Sequence, residues 1–158
     1  MPQARHGKSC TKLARYLDEF AEEHDLGHVM SNDTFVKVNT IPESIRAADV
    51  LYFSYARLPR GEIPEGLLPC QPEIAVEVKS PSNTWPHLLE KVSEYLASDI
   101  LVVVILDAST KSARIYRPSQ TVQTISEDQE LTFPDVLPGF AVRLTKLFMT
   151  LPKPSAAS

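Results

Sequence analysis

Glu73-Ile74-Ala75-Val76-Glu77-Val78-Lys79 alternates in side-chain character along its length, with Ile74, Val76 and Val78 on one face and Glu73, Ala75, Glu77 and Lys79 on the other. The pattern predicts a strand that opens after Pro72 and ends at Ser80-Pro81-Ser82. A helix is expected next, with Thr84 as its cap and Pro86 in its first turn, where a missing N–H costs little. Leu88, Leu89, Val92, Tyr95 and Leu96 give that helix an apolar face. Residues 101–106, Leu-Val-Val-Val-Ile-Leu, are unbroken apolar and β-branched, which predicts a strand buried on both faces. Strand, helix and buried strand in that order make a βαβ unit, whose two strands run parallel through a right-handed crossover.

Upstream, residues 47–54 read as another strand and residues 34–38 as a weaker one, with a turn at 39–46 between them. Residues 8–26 carry Cys10, Leu13, Leu17 and Phe20 on one stripe, which predicts a helix stopped by Gly27. A Pro- and Gly-containing loop over 55–71 is long enough to suggest a neighbouring functional site. Downstream, residues 113–117 and 122–125 predict a hairpin turned at Pro118-Ser119-Gln120, and Leu131 starts a short strand. Residues 134–140 read as a loop and 143–151 as a short closing helix. The expected fold is α/β, a mixed β-sheet flanked by helices, in one domain over residues 1–151 with a disordered tail at 152–158.

Composition narrows the function. The 158 residues suit one domain, and 43% of them are apolar, enough for a core. No apolar run reaches the ~20 residues that cross a bilayer, and the first ten residues lack a secretory pattern, so a cytoplasmic protein without membrane attachment is expected. Two cysteines, Cys10 and Cys70, form no disulfide framework or cysteine-rich metal motif. His24 and His28 stand four apart but are separated by Gly27 and lack further ligands at zinc spacing. A net charge of −4 weighs against broad nonspecific nucleic-acid binding and leaves room for a local basic patch.

The chemistry concentrates on the opening strand. Glu77 and Lys79 project together, about 6–7 Å apart along it. Asp49 lies on the preceding strand and comes beside Glu77 if the two strands pair. Two carboxylates with the Val78 carbonyl between the key side chains offer oxygen ligands to Mg2+, and an amine beside them suits phosphodiester hydrolysis. Taken alone, the Glu77–Lys79 pair also fits the wet face of a half-exposed strand. Glu73 shares the face, either near the metal or as an edge charge. Asp107 fits a turn, and Trp85 and Tyr95 fit base stacking or core. Arg57 and Arg60 fit phosphate contacts or plain solvation. There is no P-loop, dinucleotide-binding glycine motif or nucleophile elbow.

The ordered set of Ala47–Ser54, Pro72–Ser82, Leu88–Leu96, Leu101–Asp107, Ile115–Pro118 and Phe133–Phe140, with the upstream helix, resembles the Uma family of restriction endonucleases, a branch of the PD-(D/E)XK nucleases. The resemblance implies a restriction-endonuclease-like fold, a divalent metal (Mg2+, with Mn2+ as substitute), DNA as substrate and a homodimer. It sets Asp49 and Glu77 at metal-ligand positions and Lys79 at the lysine of the E-x-K pattern, where many members carry an apolar residue. Lys91 matches a recurrent helical lysine that contacts phosphate or supports the site; a solvated partner for Glu90 or Glu94 is the other reading. Ala48 stands where the family usually has proline, and the first helix begins close to residue 1, where members usually carry a strand or hairpin. The expected activity is metal-dependent DNA cleavage. The alternative is a catalytically inactive nuclease fold acting as a DNA-binding or protein-interaction module.

Overall fold

From the N-terminus the chain forms helix α1 (Ala4–Glu23), strands β1 (Gly27–Val38), β2 (Ser44–Ser54) and β3 (Ile74–Lys79), and helix α2 (Trp85–Ala97). Strands β4 (Val102–Asp107), β5 (Ser112–Tyr116), β6 (Gln123–Ser126), β7 (Glu130–Phe133) and β8 (Leu137–Arg143) follow, then helix α3 (Thr145–Phe148). The computed structural model describes residues 4–61 and 63–148, with Asp33 described by its backbone alone.

Six strands form one sheet in the order β1-β2-β3-β4-β5-β6. Only β3 and β4 are parallel, pairing Ile74 with Val102 through to Lys79 with Asp107, and α2 is their crossover. The expected βαβ unit is therefore the centre of the sheet. Every residue of β4 is buried because a helix covers each face. On one face Leu88, Val92 and Tyr95 of α2 pack over Leu51, Phe53, Ala75, Val103 and Ile105. On the other, Leu13, Leu17 and Ala21 of α1 pack over Val50, Val76 and Val104, where the β7–β8 pair and α3 complete the cluster.

The differences from the sequence reading are local. Helix α1 ends at Glu23, and the left-handed residue after it is Asp25 (φ 57°), so Gly27 is not its stop. Gly27 instead opens β1, where a Cβ would stand 2.2 Å from the Phe53 carbonyl oxygen. β1 and β2 are each longer than expected and pair along their length. The stretch expected as a loop at 134–140 contains most of β8, an edge strand that accommodates Pro138 and a left-handed Gly139 (φ 89°). The closing helix is described only as Thr145–Phe148, and the tail at 152–158 lies outside the described residues.

Candidate active site

The β2–β3 ladder pairs Tyr52 with Ile74, Leu51 with Ala75 and Val50 with Val76, and stops there. On the far side of β2, Ser31 pairs with Val50 and Thr34 with Ala48, so Asn32 and Asp33 face Asp49 as a bulge, with Asn32 at φ 56°. Bulges bend a strand and re-aim its side chains. Continued in register, the Val78 N–H would bond to Ala48; instead it donates to Asp49 Oδ2 at 2.7 Å. The N–H and C=O of one strand residue point to the same side. The Val78 carbonyl therefore also faces β2, beside Asp49.

Glu77 follows from β3 at 5% exposure. Its Oε1 accepts hydrogen bonds from the Tyr95 hydroxyl at 2.8 Å and from Lys91 Nζ at 2.6 Å, both on α2. Burial pushes the Glu77 carboxyl above the usual carboxylate range against the pull of Lys91; the Asp49 charge adds to the rise and Tyr95 opposes it. Burial and the Glu77 charge push the Tyr95 phenol far up in turn. From α1, His6 Nε2 lies 3.2 Å from Asp49 Oδ2, and Cys10 Sγ lies 3.7 Å from His6 Nδ1. Burial, with Asp49 nearby, pushes the Cys10 thiol up to about 12, so it is not a ready nucleophile at neutral pH.

Among the described residues, the contacts fall on one oxygen of each acid, leaving Asp49 Oδ1 and Glu77 Oε2 for a ligand. Asp49, Glu77 and Val78 line one hollow together with His6 and Lys91. Two carboxylates and a carbonyl form an all-oxygen donor set, which fits a hard divalent cation.

A family model described as "Putative restriction endonuclease", Uma2, matches residues 1–146. The chain belongs to the Uma2 family. The fold agrees with a solved structure, a putative nuclease of the DUF820 group from Anabaena variabilis, at TM-score 0.83 and 17% identity, covering 94% of this chain and 82% of the other. No curated protein matches the Uma2 chain.

In this Uma2 chain Asp49, Glu77 and Val78 line the same hollow, whereas Lys79, expected beside them, lines an adjoining hollow with Arg5 and Asp107. The two hollows share His6 and Ser80. Asp107 is buried and pairs in register with Lys79. Burial works against its charge, but hydrogen bonds from the Ser109 hydroxyl (2.6 Å) and N–H (3.0 Å), and the Lys79 charge, hold it below the usual range. Lys91 pairs with neither Glu90 nor Glu94; it supports Glu77, while Glu94 binds Arg46 at 2.6 Å. Glu73 is not brought to the hollow. It stands about 13 Å back along the strand, where it accepts from the Ser54 N–H (2.9 Å) and hydroxyl and pairs with Arg57. Arg57 in turn donates to the carbonyls of Gln71, Pro72 and Asp99, so the 55–71 stretch is tied to that far end.

The sequence reading missed His6 and the support from Tyr95. His6 precedes Cys10 by four residues, so extending the α1 stripe back one turn would have aimed an imidazole at the sheet.

Proposed function

We propose that this Uma2 chain is a divalent-cation-dependent endonuclease that hydrolyses phosphodiester bonds of DNA, with Mg2+ as the cation and Mn2+ as its substitute. The observation that carries the reading is the pair of oxygens, Asp49 Oδ1 and Glu77 Oε2, without a partner among the described residues, on acids lining one hollow where β2 parts from β3. Asp49, Glu77 and the Val78 carbonyl would hold the cation. When bound, it supplies polarisation of the phosphoryl oxygen and neutralises charge on the leaving oxygen.

The remaining work belongs to the chain. The Val78 N–H fixes the Asp49 carboxylate by its other oxygen, and Lys91 and Tyr95 fix that of Glu77, so the acids keep their geometry without reorganising. Lys79, one residue beyond Val78 at the end of β3, offers an ammonium to orient the attacking water and to offset charge on the phosphate. Arg5 and Lys79 line the next hollow and supply local cations for a backbone phosphate, on a chain whose net charge is −4. Action as a homodimer in the cytoplasm follows by analogy with restriction endonucleases.

Plasmid cleavage in Mg2+ or Mn2+ tests the reading, with calorimetry of cation binding alongside. Wild-type protein should cut, Asp49→Asn and Glu77→Gln should neither bind the cation tightly nor cut, and Lys79→Ala should bind but not cut. Absence of cation binding ends the enzyme reading. Binding without cleavage by the wild type favours the noncatalytic module instead.

A further inference from the structure

His6 and Cys10 stand one turn apart on α1, and β2 brings Asp49 to them; one donor atom from each lies within 4.8 Å of the other two. We propose that His6, Cys10 and Asp49 form a second cation site, taking a borderline-soft divalent ion, Zn2+ above all, in place of Mg2+.

The chemistry of the donors separates it from the neighbouring oxygen pair. A thiolate and an imidazole select zinc and its like, whereas Mg2+ takes oxygen and water. Zinc bonds of 2.0–2.3 Å in a tetrahedron put ligand atoms about 3.3–3.6 Å apart. The His6–Asp49 and His6–Cys10 contacts, 3.2 and 3.7 Å, already span that range, although they use different imidazole nitrogens. Coordination through one nitrogen asks the three donors to close by about an ångström from their 4.8 Å limit. Asp49 is braced by the Val78 N–H at 2.7 Å, the outer support that oriented metal ligands have. The cation displaces the Cys10 proton to solvent. A hollow lined by Gly7, Thr11, Ser31 and Asn32 adjoins all three ligands and leaves a fourth position open to water.

Asp49 belongs to both donor sets, so zinc here sets a second positive charge on a carboxylate that the magnesium site uses. That consequence, zinc as an inhibitor of cleavage, rests on the function proposed above; the zinc site itself does not.

Co2+ titration of the full chain is the test, because a thiolate ligand gives cobalt a near-ultraviolet charge-transfer band. Wild type, Cys70→Ser and Glu77→Gln should show the band, and Zn2+ should displace it. Cys10→Ser should lose it, and His6→Ala should weaken Co2+ binding at least about tenfold. Zn2+ should also shift the Cβ resonance of Cys10, and not that of Cys70, in the spectrum of the wild type, a reading that needs no variant to fold. A wild type without the band, a band that survives Cys10→Ser, or a Cys10 resonance indifferent to zinc overturns the proposal. A cobalt band in a protein that fails to bind Mg2+ would leave this site standing and remove the nuclease reading; Mg2+ binding without the band would do the reverse.

Discussion

Replacing Lys91 with methionine removes the positive partner of Glu77 while keeping a side chain of similar length. Lys91 is 16% and Glu77 7% exposed at the side chain, and Nζ to Oε1 is 2.6 Å. Breaking a buried pair on one side costs about 3–5 kcal/mol, because the other charge stays buried. The residual exposure of Lys91 sets the lower end, about 3 kcal/mol at pH 8. The pH dependence carries the sharper information. Glu77 already titrates above the usual carboxylate range in the folded protein, and losing Lys91 raises it further. Between the ordinary carboxylate pKa and the raised one, the folded state holds a proton that the unfolded chain has released. Stability in that window falls as pH rises, by at most about 1.4 kcal/mol per unit. Below the ordinary pKa both states are protonated, so the cost of Lys91→Met should shrink to about 1 kcal/mol or less at pH 4. Urea denaturation followed by the fluorescence of Trp85, the single tryptophan, measures the difference between variant and wild type at both pH values. A difference that is equal at pH 4 and pH 8, or larger in acid, refutes the assignment of Lys91 as the charge partner of Glu77.

Gly27→Ala should cost about 3 kcal/mol or more, because the added Cβ meets the Phe53 carbonyl at 2.2 Å and that backbone is held in the sheet. Thermal unfolding should show a fall in Tm of about 6–12 °C; an unchanged Tm would mean that β1 and β2 are not so close. Arg46→Met removes the side chain whose hydrogen bond holds Glu94 below the usual range. The bridge stabilises above the ordinary carboxylate pKa and is lost as pH falls through the lowered one, so denaturation should show a cost of about 1 kcal/mol at pH 7 that fades in strong acid.

The parallel core was readable because its residues carry one meaning. The apolar run ahead of Asp107 suits a strand covered on both faces, and the striped helix before it, opened by Pro86 although Thr84 makes no side-chain cap bond, suits a crossover. β8 was not readable, since Pro138 and Gly139 read as turn-formers and only a free edge tolerates them in a strand. The first half of β1 went unread, because Gly27 reads as a helix stop and the bulge at Asn32 and Asp33 interrupts the alternation that marks a strand. At the site, Asp49 and Glu77 line one hollow because their strands are neighbours, whereas Lys79, which alternation puts on the Glu77 face, lines the next one. The partners that set their charge come from α1 and α2, and tertiary packing rather than local pattern brings His6, Lys91 and Tyr95 there. Glu73 and Glu77 share a face in sequence, yet Glu73 sits where Arg57 and Ser54 can neutralise it.

The Val78 amide is bonded to a carboxylate where a sheet would have given it a carbonyl. That makes it a reporter of its own accord. Its nitrogen and proton resonances register what happens to Asp49, whether the arriving species is a proton, magnesium or zinc, with no label attached to the site. The flanking amides of Val76 and Leu51, locked in regular pairing, provide the silent reference in the same spectrum.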